Sequence, residues 1–114
     1  MIKLFGIPNC DTIKKAKKWL EQNNIEYTFH DYRKDGVNSE MVNNFCQQLD
    51  WQQLLNKRGT TYRQLDDATK ENLNAESAVA LLVEQPAMIK RPILEKNGEF
   101  HLGFKADQYQ SIFS

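Results

Sequence analysis

Hydrophobic positions in the N-terminal third of the chain follow the patterns of a strand, a helix and a second strand. Ile2–Phe5 is a short apolar run that is closed by a glycine and a proline, as strands often are. Asp11–Gln22 carries Ile13 and Leu20 on one face at helical spacing, with its lysines largely elsewhere. Glu26–Tyr32 is rich in aromatic residues and predicts a second strand. Because a helix separates the two strands, we expect them to be parallel and joined by a right-handed crossover.

The middle of the chain has a mostly helical pattern. The predicted helices are one that is capped at Ser39 and carries apolar positions to Leu49, a further turn over Trp51–Leu55, short pieces over Tyr62–Leu65 and Thr69–Leu73, and a stronger helix over Ala75–Glu84. Lys57–Thr61 is predicted to be a loop around a glycine, and Pro86 stops the last of the helices.

The last third of the chain returns to strands. Ile93–Lys96 and Glu99–Leu102 flank an Asn97-Gly98 pair, which is the strongest short-range signal for a β-hairpin. Ala106–Phe113 predicts a closing helix. This order of elements predicts an α/β fold with a sheet of about four strands and a helical insertion.

Composition narrows the classes of function. The chain has 114 residues, which is enough for one domain. Lys+Arg and Asp+Glu both number 15, so the formal net charge is +0 and no field of the whole protein is expected to gather nucleic acid or an acidic membrane. No apolar run is long enough for a membrane span, and no segment has the form of a signal peptide, so a cytoplasmic protein is expected.

The cysteines and histidines point to thiol chemistry rather than to a metal. Two cysteines without an export signal do not suggest a disulfide scaffold, which leaves Cys10 and Cys46 as candidate free thiols. His30 and His101 each stand without a cysteine or carboxylate at ligand spacing. We therefore expect neither a metal nor a nucleotide cofactor.

Cys10 lies between the first predicted strand and the first predicted helix. The free N–H groups at a helix N-terminus stabilise an anion, so a thiol at that place has a lowered pKa and reacts as the thiolate. Lys14, four residues on, can add positive charge on the same side, whereas a carboxylate beside a thiol, here Asp11, acts against ionisation. From position alone, an ordinary buried cysteine in a β–α turn fits as well as a reactive one.

Two basic segments are candidates for anion binding. Lys90-Arg91-Pro92 precedes the hairpin, and Arg91 can bind a planar anion through two hydrogen bonds. Asn56–Thr61 is a basic loop with hydroxyls beside a glycine, and its backbone N–H groups can cradle an anion. Taken separately, the two segments also fit exposed charges at a sheet edge and in a solvated loop.

Taken together, in this order and spacing, these segments resemble the ArsC/Spx family of thioredoxin-fold proteins, and come closest to its YffB-type branch. The resemblance covers essentially the whole chain. It rests on the segments from Gly6 to Ala16, from His30 to Arg33, from Leu55 to Thr61 and from Ile89 to Ile93.

The resemblance implies a thioredoxin-like (ArsC-like) α/β fold, with a four-stranded mixed sheet, flanking helices and a helical insertion. It implies a single domain over residues 1–114. The thioredoxin-like core would lie at about residues 1–35 and 86–114, and the insertion at about 37–85.

The resemblance also assigns roles to individual residues. Cys10 matches the family's nucleophile, Arg91 the arginine that binds an oxyanion or stabilises the thiolate, and Pro92 the cis-proline that faces the cysteine. Arg58 lies in the loop that supplies a second basic residue. The candidate catalytic residues are thus Cys10 and Arg91, and the candidates for binding glutathione or the substrate are Asn9, Lys14, Arg58, Lys90 and Pro92.

At some positions this sequence differs from the motifs of the family, and these differences bear on which of the family's functions it can have. Ile13 stands where some Spx-type relatives have the second cysteine of Cys-x-x-Cys, so an external thiol must resolve the reaction, and glutathione is the expected cosubstrate. Cys46 is expected to be a packing residue. Arsenate reductases have a third arginine after the hairpin where this chain offers only Lys105, which lacks the rigid bidentate fork. Their loop arginine also falls nearer Asn56 than Arg58. Both differences count against efficient arsenate reduction.

The expected function is a glutathione-dependent thiol reductase in which the Cys10 thiolate attacks a disulfide or oxidised substrate and glutathione releases the product. The alternatives are arsenate reduction and, in another class, an Spx-like regulator that binds RNA polymerase without catalysis. Expected partners are glutathione, with glutaredoxin as a further candidate, and a small oxyanion or disulfide substrate. No nucleic acid or membrane partner is expected, and the expected state is a monomer.

Overall fold

The computed structural model describes residues 2–8 and 10–114, and over these ranges the chain forms four strands, seven α-helices and one 3-10 turn. In chain order they are β1 Ile2–Gly6, α1 Asp11–Gln22, β2 Thr28–Asp31, α2 Ser39–Gln48, α3 Trp51–Leu54, α4 Thr60–Arg63, α5 Asp67–Glu71, α6 Ala75–Glu84, the 3-10 turn Pro86–Met88, β3 Ile93–Lys96, β4 Glu99–Leu102 and α7 Ala106–Ile112. No helix in these ranges has the length and apolar character that a membrane span needs.

The elements group into two compact units. The first unit joins the residues up to Asp35 to Arg91–Ser114 and holds the sheet with α1 and α7. The second unit is Gly36–Lys90 and holds α2 to α6 together with the 3-10 turn.

The sheet is four-stranded and mixed, as expected, with the order β2-β1-β3-β4. β1 pairs with β2 in parallel and with β3 in antiparallel fashion, and β3 pairs with β4 as a hairpin. Asn97 and Gly98 both have positive φ, of 52° and 89°, which is the backbone that the two-residue hairpin turn requires. The hairpin prediction is therefore confirmed.

One face of the sheet is covered by α1 and α7, with a hydrophobic core between them. The core consists of five fully buried residues, Leu4 and Leu94 from the paired strands, Ala16 and Leu20 from α1, and Tyr109 from α7. Burial of a leucine of this kind is worth about 1.5–3 kcal/mol. Because α1 docks on the strand that precedes it, its N-terminus is held close to the carboxyl end of β1.

In the second unit, α2 packs against α6. α6 begins with a capping box, in which the Asn74 side chain accepts from the Ser77 N–H at 2.8 Å and the Ser77 hydroxyl accepts from the Asn74 N–H at 2.9 Å. Ala78 and Leu82 on the same helix are fully buried. The cap fixes where this helix begins and so which of its residues reach the core.

We expect Asn74→Ala to lower the free energy of unfolding by about 1 kcal/mol, because it removes the side-chain acceptor of the cap. Urea unfolding followed by circular dichroism measures this loss. Asn43→Ala is the matched control, since Asn43 lies exposed inside α2, where alanine is the better helix former. Equal losses in the two variants would show that the cap does not stabilise α6.

The structure corrects several predicted boundaries. β2 is shorter than the expected Glu26–Tyr32, since pairing with β1 runs only from Thr28 to Asp31. The cap of α2 is Asn38 and not Ser39, because the Asn38 side chain accepts from the Met41 N–H at 2.9 Å.

The short helices of the second unit also begin earlier than expected. The predicted loop Lys57–Thr61 ends too late, since α4 starts at Thr60 and replaces the expected Tyr62–Leu65 piece. α5 covers Asp67–Glu71 instead of Thr69–Leu73, because the Asp66 side chain caps it by accepting from the Thr69 N–H at 2.7 Å. The last helix ends at Ile112, one residue before the expected end.

Candidate active site

Cys10 is the N-cap residue of α1. Its backbone is extended (φ −100°, ψ 128°), and its carbonyl accepts the first intrahelical bond from the Lys14 N–H at 3.0 Å. The thiol is partly exposed and forms no disulfide. The thiol does not cap the helix by an ordinary hydrogen bond, but the backbone N–H groups of Thr12 and Ile13 act on the sulfur and favour its anion.

The surroundings of Cys10 favour its thiolate. Partial burial by itself raises the pKa of the Cys10 thiol, but the N–H of Ile13, a hydrogen bond from the Arg91 side chain and the N–H of Thr12 outweigh it. The positive charge of Arg91 acts in the same direction, and the pKa of Cys10 lies below its ordinary value. A lowered pKa in a partly exposed thiol is the combination that makes a cysteine nucleophilic.

Arg91 reaches Cys10 because three elements meet at the end of β1. Arg91 directly precedes β3, and its peptide bond to Pro92 is cis, as the resemblance implies. The Arg91 Cβ lies 3.6 Å from the point where a Cβ on Gly6 would be, so the residue sits against the last residue of β1. α1 starts a few residues after that same point, which brings the arginine and the cysteine together.

Lys14 contributes less than its position suggests. Its side chain is exposed, and it is not among the groups that shift the pKa of the Cys10 thiol. The same holds for Asp11, so the opposing effect expected from this carboxylate is also absent. A role for Lys14 in binding a substrate stays a prediction, and Asn9 lies outside the residues that the structure describes.

Arg58 and Lys90 belong to the second unit. The Arg58 N–H donates to the Asn56 side chain at 3.2 Å, which shapes the basic loop just before α4. The Lys90 N–H donates to the Leu54 carbonyl at 2.7 Å. Both side chains are exposed, and their proposed binding roles stay predictions.

Cys46 differs from Cys10 in its electrostatics. It lies on α2, and burial together with the nearby charge of Asp50 raises the pKa of its thiol. Cys46 is therefore protonated at neutral pH, which agrees with a packing role. In the ranges that the structure describes, no group of His, Cys, Asp and Glu side chains is arranged to hold a metal ion.

Gly6 and Tyr32 are two further residues at this place to which the sequence analysis gave no role. The Tyr32 N–H donates to the Gly6 carbonyl at 2.9 Å, directly after β2 ends. Burial raises the pKa of Tyr32 strongly, and the charge of Arg91 offsets only part of this effect. The phenol is thus neutral and stands within the field of the arginine that contacts Cys10.

A cysteine at the N-terminus of the helix that follows β1, with a cis-proline at the start of β3 of a mixed four-stranded sheet, defines a thioredoxin-like protein of the arsenate reductase-like kind. The ArsC family model matches residues 5–112, and the chain belongs to this family.

Individual relatives support the same placement. The chain is similar to the solved structure of a YffB protein, with 43% identity, a TM-score of 0.95 and coverage of 100% of both chains. It is also similar to an arsenate reductase-related protein from Brucella melitensis, with 47% identity and a TM-score of 0.80 over 98% of this chain and 93% of that one. The global transcriptional regulator Spx of Staphylococcus aureus is 23% identical over 95% of this chain and 83% of its own length.

Proposed function

We propose that this protein is a glutathione-dependent thiol reductase with Cys10 as its single nucleophile. The observation that carries the proposal is the place of Cys10 at the N-terminus of α1 beside the Arg91 side chain, where the first-turn N–H groups and the arginine lower the pKa of its thiol. Cys46, by contrast, has a raised pKa and lies on a helix of the second unit. The chain thus has one thiol that is prepared for nucleophilic attack.

The proposed reaction has two thiol–disulfide exchanges. In the first, the Cys10 thiolate attacks one sulfur of a mixed disulfide between glutathione and another thiol, a Cys10–glutathione disulfide forms, and the other thiol leaves as its thiolate. In the second, a glutathione thiolate attacks the glutathione sulfur of that adduct, glutathione disulfide forms, and Cys10 is released as the thiolate. Arg91 stabilises the anion on Cys10 at the beginning and at the end of the cycle.

Ile13 explains why the resolving thiol must come from outside. It occupies the position of the second cysteine in a Cys-x-x-Cys motif, and its side chain is fully buried. No local disulfide can form there. We expect glutathione to supply the missing thiol, and the exposed Lys14 side chain on α1 is available for one of its carboxylates. Binding roles for Arg58 and Lys90, whose side chains are also exposed, stay predictions.

Two other functions have specific support. The name of the Brucella melitensis relative points to arsenate as a substrate. In the region after the hairpin where arsenate reductases have a third arginine, however, this chain offers only the nearby Lys105. The similarity to the global transcriptional regulator Spx supports a regulator of transcription, and the resemblance to that family implies that such a regulator would bind RNA polymerase. A redox switch of the Cys-x-x-Cys type is excluded by Ile13. A pull-down with the C-terminal domain of the polymerase α subunit tests the second alternative.

The first test is the pH dependence of Cys10 alkylation by iodoacetamide in a Cys46→Ser background. The midpoint is expected well below about 8.5, the ordinary value for a free cysteine, because the thiolate is stabilised in the folded protein. Reduced glutathione is then expected to protect Cys10 from alkylation in a saturable way, with methylated glutathione, which has no free thiol, as a probe of binding without exchange.

A midpoint at or above the free-cysteine value would contradict the proposed nucleophile. A low midpoint without any protection by glutathione would contradict the choice of cosubstrate and leave the thiol chemistry in place. The two parts of the proposal can therefore fail separately.

A further inference from the structure

The exposed side of α1 beside Cys10 carries positive charge that the described residues do not pair. Three of the four lysines of α1, Lys14, Lys15 and Lys18, have exposed side chains. With about 3.6 residues per turn, these three lie on one side of the helix, opposite the fully buried Leu20. None of them forms an ion pair or a side-chain hydrogen bond with another residue in the ranges 2–8 and 10–114. We call these three residues the lysine face.

The acidic residues of α1 leave most of this charge in place. Asp11, in the first turn, lies on the same side of the helix, but it forms no ion pair with Lys15 in the part of the chain that the structure describes. Glu21, near the other end of α1, accepts a hydrogen bond from the Tyr27 hydroxyl at 3.5 Å. The surface next to Cys10 is therefore positive, although the formal net charge of the whole chain is +0.

The placement of these lysines serves neither the helix nor the thiolate. Cations stabilise a helix from its last turn, where α1 has no basic residue. Lys14 and Lys18 are four residues apart, and like charges at that spacing destabilise a helix. None of the α1 lysines is among the groups that lower the pKa of Cys10. Their charge is thus directed at what approaches Cys10 from solvent.

The lysine face is longer than a small thiol such as glutathione. Each residue of a helix adds about 1.5 Å, so Lys14 lies roughly 6 Å and Lys18 roughly 12 Å along the axis from Cys10. A tripeptide spans at most about 10 Å, and one bonded to Cys10 through its middle residue covers about half of that length on each side. Lys14 is within that range, whereas Lys18 suits a longer chain.

We propose that the lysine face is a docking surface for an acidic polypeptide segment whose cysteine carries the disulfide that Cys10 attacks. The inference rests on the proposed function and names its substrate class, a glutathionylated cysteine within an acidic stretch of a protein or peptide. The Cys10 thiolate bonds to the glutathione sulfur, the disulfide between glutathione and the segment breaks, and the cysteine of the segment leaves as its thiolate. A nucleic acid also carries negative charge, but it offers Cys10 no disulfide.

Opposite charges on the two partners act mainly on the rate of association. Electrostatic steering raises association rates by about 10- to 1,000-fold, and salt removes the effect because the screening length falls from about 10 Å at 0.1 M to about 3 Å at 1 M. The lysine face is therefore expected to change the second-order rate constant for an acidic substrate and to leave the alkylation midpoint of Cys10 where it is.

The test uses two synthetic peptides in which a single cysteine is linked to thionitrobenzoate through a disulfide. In one peptide aspartates flank the cysteine, and in the other asparagines replace them. The Cys10 thiolate of the Cys46→Ser protein attacks the peptide sulfur, and thionitrobenzoate leaves as a coloured thiolate. Each rate constant is divided by that of the same peptide with 2-mercaptoethanol, which is uncharged. We expect the acidic peptide to react about tenfold faster at low ionic strength, and the ratio to approach one in 1 M salt.

The variant is Lys15→Gln combined with Lys18→Gln, which keeps Lys14 for glutathione. Glutamine and lysine are similar helix formers, so α1 should stay intact. The ratio of the two rate constants is expected to fall from about ten to below about two. Lys17→Gln is the matched control for Lys18→Gln alone. It removes the same charge from the same helix, but the Lys17 ammonium lies over the Phe29 ring at 3.8 Å, away from the lysine face. It should lower the ratio much less.

Several results would overturn the proposal. They are a ratio near one in the parent protein, an unchanged ratio in the double variant, and an equal loss in Lys17→Gln and Lys18→Gln. Stronger inhibition by a single-stranded oligonucleotide than by a cysteine-free aspartate-rich peptide of the same length would overturn the choice of a polypeptide. The assay contains no glutathione, so preference for the acidic peptide can persist when glutathione fails to protect Cys10. In that case the docking surface stands and the proposed cosubstrate falls.

Discussion

Cys10→Ser is expected to reduce turnover of a mixed glutathione disulfide by roughly three orders of magnitude or more, to the rate of the uncatalysed exchange. A serine hydroxyl ionises far above neutral pH, and the N–H groups of Ile13 and Thr12 cannot bring it into the neutral range. It also cannot form the disulfide adduct that the second exchange needs. The measurement is the initial rate of glutathione disulfide formation, coupled to consumption of NADPH by glutathione reductase.

Cys46→Ser is the matched control for this experiment. Its thiol has a pKa raised by burial and by Asp50, so it is a poor nucleophile at neutral pH. The variant should retain the rate of the parent protein. Full activity in Cys10→Ser together with a loss in Cys46→Ser would show that the assignment of the nucleophile is wrong.

The sequence predicted the correct bounds of those helices and strands that are ended by turn or stop residues close to them in the chain. Both Asp11–Gln22 and Ala75–Glu84 have the observed bounds, and so do the two strands around Asn97-Gly98. Each of these has a nearby residue that ends it, such as Pro86 after α6 or the left-handed pair in the hairpin. A single sequence is enough where the determinant lies within a few residues.

The starts of β2 and α2 could not be predicted from nearby residues alone. The predicted second strand begins at Glu26, but the chain is a strand only from Thr28, where it pairs with β1. At the start of α2, Asn38 and Ser39 are adjacent and both are good caps, so the pattern could not separate them. In the structure the Asn38 side chain accepts the hydrogen bond.

In the candidate site, too, the features set by neighbouring residues were predictable, and those set by distant residues were not. The position of Cys10 after the first strand predicts its place at a helix N-terminus, and the structure confirms that place. Arg91 could be brought to Cys10 only through resemblance to a family, because the two residues lie far apart in the chain. Tyr32 lies in the His30–Arg33 segment that supports the resemblance, but the sequence does not show that its hydroxyl is buried and unpaired among the described residues.

The packing around the site could not be predicted from the sequence either, and the contact between Gly6 and Ile13 is the clearest case. A Cβ at Gly6 would overlap the Cδ1 atom of Ile13 and lie 2.9 Å from its Cγ1. Ile13 is fully buried and cannot turn into solvent. Glycine is thus required by the close approach of α1 to the end of β1, and the distance between Gly6 and the first turn of α1 determines how the N–H groups are presented to Cys10.

Gly6→Ala is therefore expected to affect both stability and reactivity. The added methyl group should lower the free energy of unfolding by about 1–3 kcal/mol, as overpacking of a core does. It should also raise the midpoint of Cys10 alkylation, because displacement of Ile13 moves one of the N–H groups that lower the pKa of the thiol. Urea unfolding and iodoacetamide alkylation measure the two effects on the same protein.

Two further variants test whether the effect of Gly6→Ala comes from the overlap with Ile13 or from the replacement of a glycine by alanine in general. Gly59→Ala adds a methyl group at a glycine that, like Gly6, lies outside the left-handed region (φ −75° at Gly59). The nearest neighbour of that methyl group is the Asn56 side chain at 3.3 Å, so its cost in stability should be smaller. Ile13→Val removes the overlapping Cδ1 atom, so Gly6→Ala should cost less in the Ile13→Val background than in the parent protein. An equal cost in both backgrounds would mean that Gly6 does not set the position of the first turn. The control of the Cys10 thiolate would then rest on Arg91 and the N-terminus of α1 without help from the end of β1.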